Sequence, residues 1–96
     1  MSRSEMLTVF TYDVTDNKRR RKVAALLEAE ATRVQYSVFE VRMSKSRAEV
    51  IGQRLAGMLG DGDSLRVYAI GADSLPRSRV YGDAVPFEAE EGFWVV

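Results

Sequence analysis

The sequence predicts a small α/β domain of the α+β kind, with elements in the order β-α-β-β-α-β and one further C-terminal strand. Three observations predict it. A β-rich run over residues 7–14 leads at once into a helical stretch, a second β-rich run fills residues 33–43, and an apolar stripe at helical spacing over 48–59 precedes a third strand. A chain of 96 residues suits a single domain, with its core over about 7–82 and an interaction tail over 83–96.

Leu7 to Val14 is rich in Val, Phe, Thr and Tyr and reads as a strand. Leu7, Val9, Thr11 and Asp13 point to one face, and Thr8, Phe10, Tyr12 and Val14 to the other. Both sets are largely apolar up to Asp13, so the strand is expected inside the fold, covered on both faces. Asp16 then caps a helix running to about Ala31, with Val23, Leu26 and Leu27 as its buried stripe and Ala24 and Ala31 beside it. Arg33 to Met43 contains no Gly or Pro and is long for a strand, which usually has about 5–6 residues. Two strands meeting at a corner near Ser37 to Phe39 satisfy it, and so does one long bent strand.

Ser46-Arg47-Ala48-Glu49 fits a capping box, and Ala48, Ile51, Leu55, Met58 and Leu59 form the stripe of the helix that follows. Gly60 is expected to end that helix in the left-handed conformation, and Asp61-Gly62-Asp63 to turn the chain. Ser64 to Ile70 is the next strand, Gly71 to Ser78 a loop, and Arg79 to Tyr81 a short strand before Gly82. Phe93-Trp94-Val95-Val96 is apolar and aromatic, so Phe93, Trp94 and Val95 are expected to dock on the chain's own sheet or on a partner. This order is a split βαβ arrangement with both helices on one sheet face, as in ferredoxin-like folds. The other face stays open to a second copy.

The chain contains no cysteine and no histidine. That excludes disulfides, thiolate nucleophiles, histidine-based triads and zinc sites built on imidazole or thiolate. Any metal must be held by oxygen and is therefore hard: Mg²⁺, Mn²⁺ or Ca²⁺. No apolar run approaches the roughly 20 residues of a membrane span. The first residues, Met1 to Glu5, lack a secretion signal's apolar stretch, so a cytoplasmic location is expected. Fourteen basic and fourteen acidic residues cancel, so recognition must come from where charges sit.

Two placements carry chemistry. Asp13 ends a strand and enters the loop before a helix, where open α/β sheets place ligand groups, although a turn-forming aspartate also fits. Close behind it, Lys18-Arg19-Arg20-Arg21-Lys22 puts five cations at a helix N-terminus, against the macrodipole and at repulsive spacings. Such a conflict suits phosphate binding, with Arg19, Arg20 and Lys22 as the candidate contacts. In Arg33 to Glu40 polar and aromatic residues interleave. Exposed aromatics there could stack bases, but core or dimer interface is the preferred reading for Tyr36, Val38 and Phe39.

Tyr12-Asp13-Val14, Asp16, the block Lys18 to Val23, Arg33-Val34-Gln35-Tyr36-Ser37-Val38-Phe39-Glu40 and Asp63-Ser64-Leu65-Arg66-Val67-Tyr68, in that order, closely resemble the CRISPR-associated Cas-two family. The family usually has a glycine before the Arg-Val-Gln strand, where this chain has Ala31-Thr32. The resemblance implies a ferredoxin-like homodimer that sits between integrase dimers during spacer acquisition and binds DNA or RNA. It also implies an Mg²⁺- or Mn²⁺-dependent endonuclease, usually an endoribonuclease, whose metal is held by Asp13 and its symmetry mate. Arg19, Arg20, Lys22 and Arg33 would then hold nucleic acid, with Tyr12, Asp16, Ser37 and Phe39 in support. Three other readings are a non-catalytic DNA scaffold, a stand-alone ribonuclease toxin of the same fold, and an RNA-binding module.

Overall fold

The structure, a computed structural model, describes residues 5–71 and 79–82. Its elements are β1 (Met6–Asp13), α1 (Asn17–Glu30), β2 (Thr32–Gln35), β3 (Val38–Met43), α2 (Lys45–Ala56), β4 (Ser64–Ile70) and β5 (Arg79–Gly82). They form one antiparallel sheet in the order β2-β3-β1-β4-β5. This is the ferredoxin-like order, with β5 added beside β4. Residues 72–78 of the expected loop and the run Phe93, Trp94, Val95 and Val96 lie outside the described residues.

Alternation along β1 decides which face is core. Thr8, Phe10 and Tyr12 are buried, and Phe10 stands in register between Phe39 of β3 and Val67 of β4. The helices close that side with Val23 and Leu27 of α1 and Ala48, Ile51 and Leu55 of α2. Burying side chains of this size contributes about 1.5–3 kcal/mol each. Gly52 lets β5 join this layer, since a Cβ there would meet the Tyr81 ring.

The expectation that β1 is covered on both faces is corrected. Leu7, Val9 and Thr11 are only half-buried, because both helices lie on the other side. Across the ladders Leu7 lies between Arg42 and Ile70, Val9 between Glu40 and Tyr68, and Thr11 between Val38 and Arg66. Asp13, two residues beyond Thr11, shares that face.

The run 33–43 is two strands, not one: the chain reverses at Tyr36-Ser37, with Gln35 opposite Val38. A bulge between Arg33 and Gln35 shifts the alternation of β2. Two helix boundaries differ from expectation. The cap of α2 is Ser44, whose hydroxyl accepts from the Arg47 N–H at 3.2 Å, and Ser46 lies inside the first turn. Met43 must stay in the sheet to bury its side chain, so the chain turns one residue later, at Ser44. The helix ends at Gly57 in right-handed conformation, and Gly60 has no positive φ. The left-handed glycine of this connection is Gly62.

Candidate nucleic-acid and metal site at the end of the central strand

Asp13 is exposed where β1 leaves the sheet, and no hydrogen bond or ion pair ties its carboxylate to the described residues. Two adjoining open clefts flank it. One is lined by Tyr12, Asp13, Val14, Arg20, Tyr36 and Ser37, and the other by Tyr12, Arg20, Arg21, Ala24, Arg33 and Tyr36. The fold thus gathers Asp13, Arg20, Arg33, Tyr12 and Ser37 from three separate segments. The Tyr12 N–H donates to the Ser37 carbonyl at 3.2 Å, joining the end of β1 to the β2–β3 turn.

Beneath the clefts lies Phe39, fully buried. Its ring stacks on Tyr12 with centroids 6.3 Å apart, and the Arg33 guanidinium lies 4.8 Å from its centroid. Arg33 also donates to the Tyr36 carbonyl and pairs with Glu28 at 2.9 Å. Burial pushes the Tyr12 phenol above its ordinary value, against the opposing pull of Arg33. Tyr12 therefore stays protonated at neutral pH. Tyr36 is not core: the bulge and turn leave it 73% exposed beside the arginines.

The basic block divides by direction, since successive helical residues point about 100° apart. Asp16 caps α1 by accepting from the Arg19 N–H at 2.9 Å. Arg20 donates to the Val14 carbonyl at 2.8 Å and to Asn17, and Arg19 turns back to Asp63 at 2.8 Å. Lys18, Arg21 and Lys22 are exposed and make no hydrogen bond or ion pair among the described residues. Two of the five cations thus bond to backbone carbonyls and a buried acid, while the other three make no such bond among the described residues. Among the described residues no three acidic side chains converge on one point. The donor chemistry of Asp13, a free hard oxygen ligand, fits Mg²⁺ or Mn²⁺, but one carboxylate at this point among the described residues is too few for a complete set.

A family model described as CRISPR associated protein Cas2 matches residues 6–77. The chain belongs to the Cas2 family. It is 41% identical over 78 residues to the CRISPR-associated endoribonuclease Cas2 3 of Synechocystis sp., covering 80% of this chain and 85% of that protein. It is 31% identical over 93 residues to the CRISPR-associated endoribonuclease Cas2 1 of Chloroflexus aurantiacus, covering 95% of this chain and 100% of the relative. The crystal structure of Streptococcus pyogenes Cas2 superposes with a TM-score of 0.62 at 35% identity, over 71% of this chain and 89% of that one.

The departure from the Cas2 pattern at Ala31-Thr32 has a structural answer. Ala31 leaves α1 in extended conformation, φ −148° and ψ 178°, which needs no glycine. One residue of this region escapes sequence reasoning, because an Asp-Gly-Asp turn explains it too easily. Asp63 is 1% exposed, and its carboxylate accepts from Arg19, from the Gly60 N–H at 2.8 Å and from the Thr15 N–H at 3.3 Å. The Arg19 hydrogen bond, and then the Gly60 N–H, hold its carboxyl below the ordinary 3.8. The unfolded chain takes up this proton first, so the stabilisation is complete above pH 3.8 and lost as pH falls through the lower folded value. Thermal melts should therefore show a Tm gap between wild type and Asp63→Asn that is wide at neutral pH and closes in acid. A gap independent of pH would exclude this linkage.

Proposed function

We propose that the chain is a nucleic-acid-binding subunit of CRISPR spacer acquisition that dimerises through its open sheet face, bridges integrase dimers and hydrolyses phosphodiester bonds with Mg²⁺ or Mn²⁺. The observation that carries the catalytic part is the unpartnered Asp13 at the end of the central strand, on the uncovered face, beside a cleft lined by Arg20, Tyr36 and Ser37. The names of the relatives point to RNA as one substrate.

Packing two open faces together places the two Asp13 side chains on the shared interface, so each chain supplies half of the acidic set. A hard divalent cation would supply charge neutralisation at the phosphate and a water activated near neutral pH. The chain's own residues do the rest. Arg20 and Arg33 hold phosphate oxygens, with Lys18, Arg21 and Lys22 extending the basic surface along α1. Tyr36 offers a ring to an unpaired base, and neutral Tyr12 and Ser37 donate hydrogen bonds into the cleft. Arg19, spent on Asp63, shapes the turn.

Incubating the purified protein with single-stranded RNA and with duplex DNA, with and without Mg²⁺ or Mn²⁺, tests the activity. Failure to cut either substrate under any of these conditions would remove the hydrolase from the reading. The dimer is tested separately. Val9→Asp puts a charge at the middle of the open face, opposite Glu40 and away from the core. Sedimentation should show a dimer for wild type and a folded monomer for the variant; a dimer in both places the interface elsewhere.

A second reading, a scaffold that binds DNA without cutting it, is favoured by Asp13 being the one acid lining the cleft among the described residues. It predicts no metal-dependent cleavage of either substrate by the wild-type protein, and co-purification with the integrase that is lost on deleting residues 83–96.

A further inference from the structure

We propose that Asp63 is the positioning residue for Asp13. Its buried carboxylate clamps the loop between β1 and α1, with Arg19 and Gly60 as the other parts of the clamp. The inference rests on reading Asp13 as a functional carboxylate.

Asp63 immediately precedes Ser64, the residue that pairs with Asp13 in the β1–β4 ladder. From that place its side chain, 0% exposed, reaches forward under the loop. Oδ1 accepts from the Thr15 N–H at 3.3 Å, two residues beyond Asp13. Oδ2 accepts from Arg19 Nε and from the Gly60 N–H, both at 2.8 Å. Asp13 is thereby gripped from two sides, through the ladder at Ser64 and through its own loop at Thr15. The Asp13 carboxylate has no hydrogen-bond partner of its own among the described residues, so its position follows its backbone, which the Tyr12–Ser37 and Arg20–Val14 bonds hold from the other flank.

Gly60 completes the device. Its φ is not in the left-handed region, so its backbone suits any residue, yet a Cβ there would lie 2.7 Å from Arg19 Cζ. A side chain there would displace the Arg19 guanidinium, the flexible end of its chain, from its place across the turn beside Asp63. Replacing a buried ion pair by apolar residues is often neutral or stabilising, so a buried carboxylate serving three donors points to geometry as its use. Groups that orient a metal ligand typically change metal affinity by about 10–100-fold when removed.

The test uses two variants of the full chain, Asp63→Asn and Gly60→Ala; the second keeps every charge. Mn²⁺ is titrated while the broadening of the Val14 and Thr15 amide signals is followed by NMR, with circular dichroism to establish folding. Both folded variants are expected to need about tenfold more Mn²⁺ or more for half-maximal broadening. Wild-type titrations in folded variants overturn the proposal. Where Asp63→Asn does not fold, Gly60→Ala decides alone. If wild type itself shows no Mn²⁺ broadening, the shared-metal reading fails, and metal-free hydrogen exchange decides the positioning. Exchange about tenfold faster at Asp13, Val14 and Thr15 in Gly60→Ala supports it, and wild-type exchange overturns it.

Discussion

Replacing Asp13 by alanine is expected to abolish divalent-metal-dependent cleavage, by about a thousandfold or more, while leaving the fold and nucleic-acid binding in place. A thousandfold loss corresponds to about 4 kcal/mol of barrier, a reasonable share for a cation acting on a phosphate. The fold should be indifferent, because the side chain is exposed and supports nothing among the described residues. Substitutions at such positions usually stay within about 0.5 kcal/mol. Binding should hold or tighten, since removing an anion beside Arg20 favours the phosphate backbone. The measurements are cleavage of labelled RNA and duplex DNA with Mg²⁺ or Mn²⁺, a thermal melt, and a binding isotherm without metal. Cleavage that persists in highly purified Asp13→Ala would assign the activity to another group or another protein.

Phe39→Ala should act on both stability and site. Phe39 is fully buried, stands opposite Phe10 in the ladder and lies under Tyr12 and Arg33. Truncating a buried phenylalanine costs about 3–5 kcal/mol, from lost transfer energy and the cavity left behind. For a domain of this size that lowers Tm by roughly 15–30 °C. The ring is also the platform for Arg33, so the folded remainder at low temperature should bind nucleic acid more weakly than wild type. Phe39→Leu, which refills most of the space without an aromatic face, separates the effects: it should recover most of the Tm and little of the binding. Equal recovery of both would show that packing alone matters.

Much of this was legible in the residues. Alternation along 7–13 placed Asp13 at a strand end on the face opposite Phe10, and the helical stripes gave both helices their buried sides. The basic block announced itself by breaking the rule that acids favour helix N-termini. What stayed hidden depended on contacts distant in sequence. Ser46, with Glu49 three residues on, reads as the cap until Met43 is known to sit in the core. Tyr36 and Phe39 look alike until a bulge turns one outward. Arg19 and Arg20 look like two free cations until their hydrogen bonds to Asp63 and to the carbonyl of Val14 are seen. The available signal for Asp63 was its position directly before a strand's first residue, where Asp61 is two residues farther away.

The antiparallel order has a consequence for how the protein is made. β1 emerges first, and β3 and α1 can close on it early, forming half a sheet with Asp13 already at its tip. The second ladder pairs β1 with β4, and Asp63 arrives only with that strand. Non-local pairing of this kind is intrinsically slow, because loop closure must be met before its contacts form. A nascent or partly folded chain therefore exposes its carboxylate and its cations without the clamp that aligns them. On the proposed reading, competence to cut appears only with the last core strand, which keeps unfinished molecules harmless to cellular RNA.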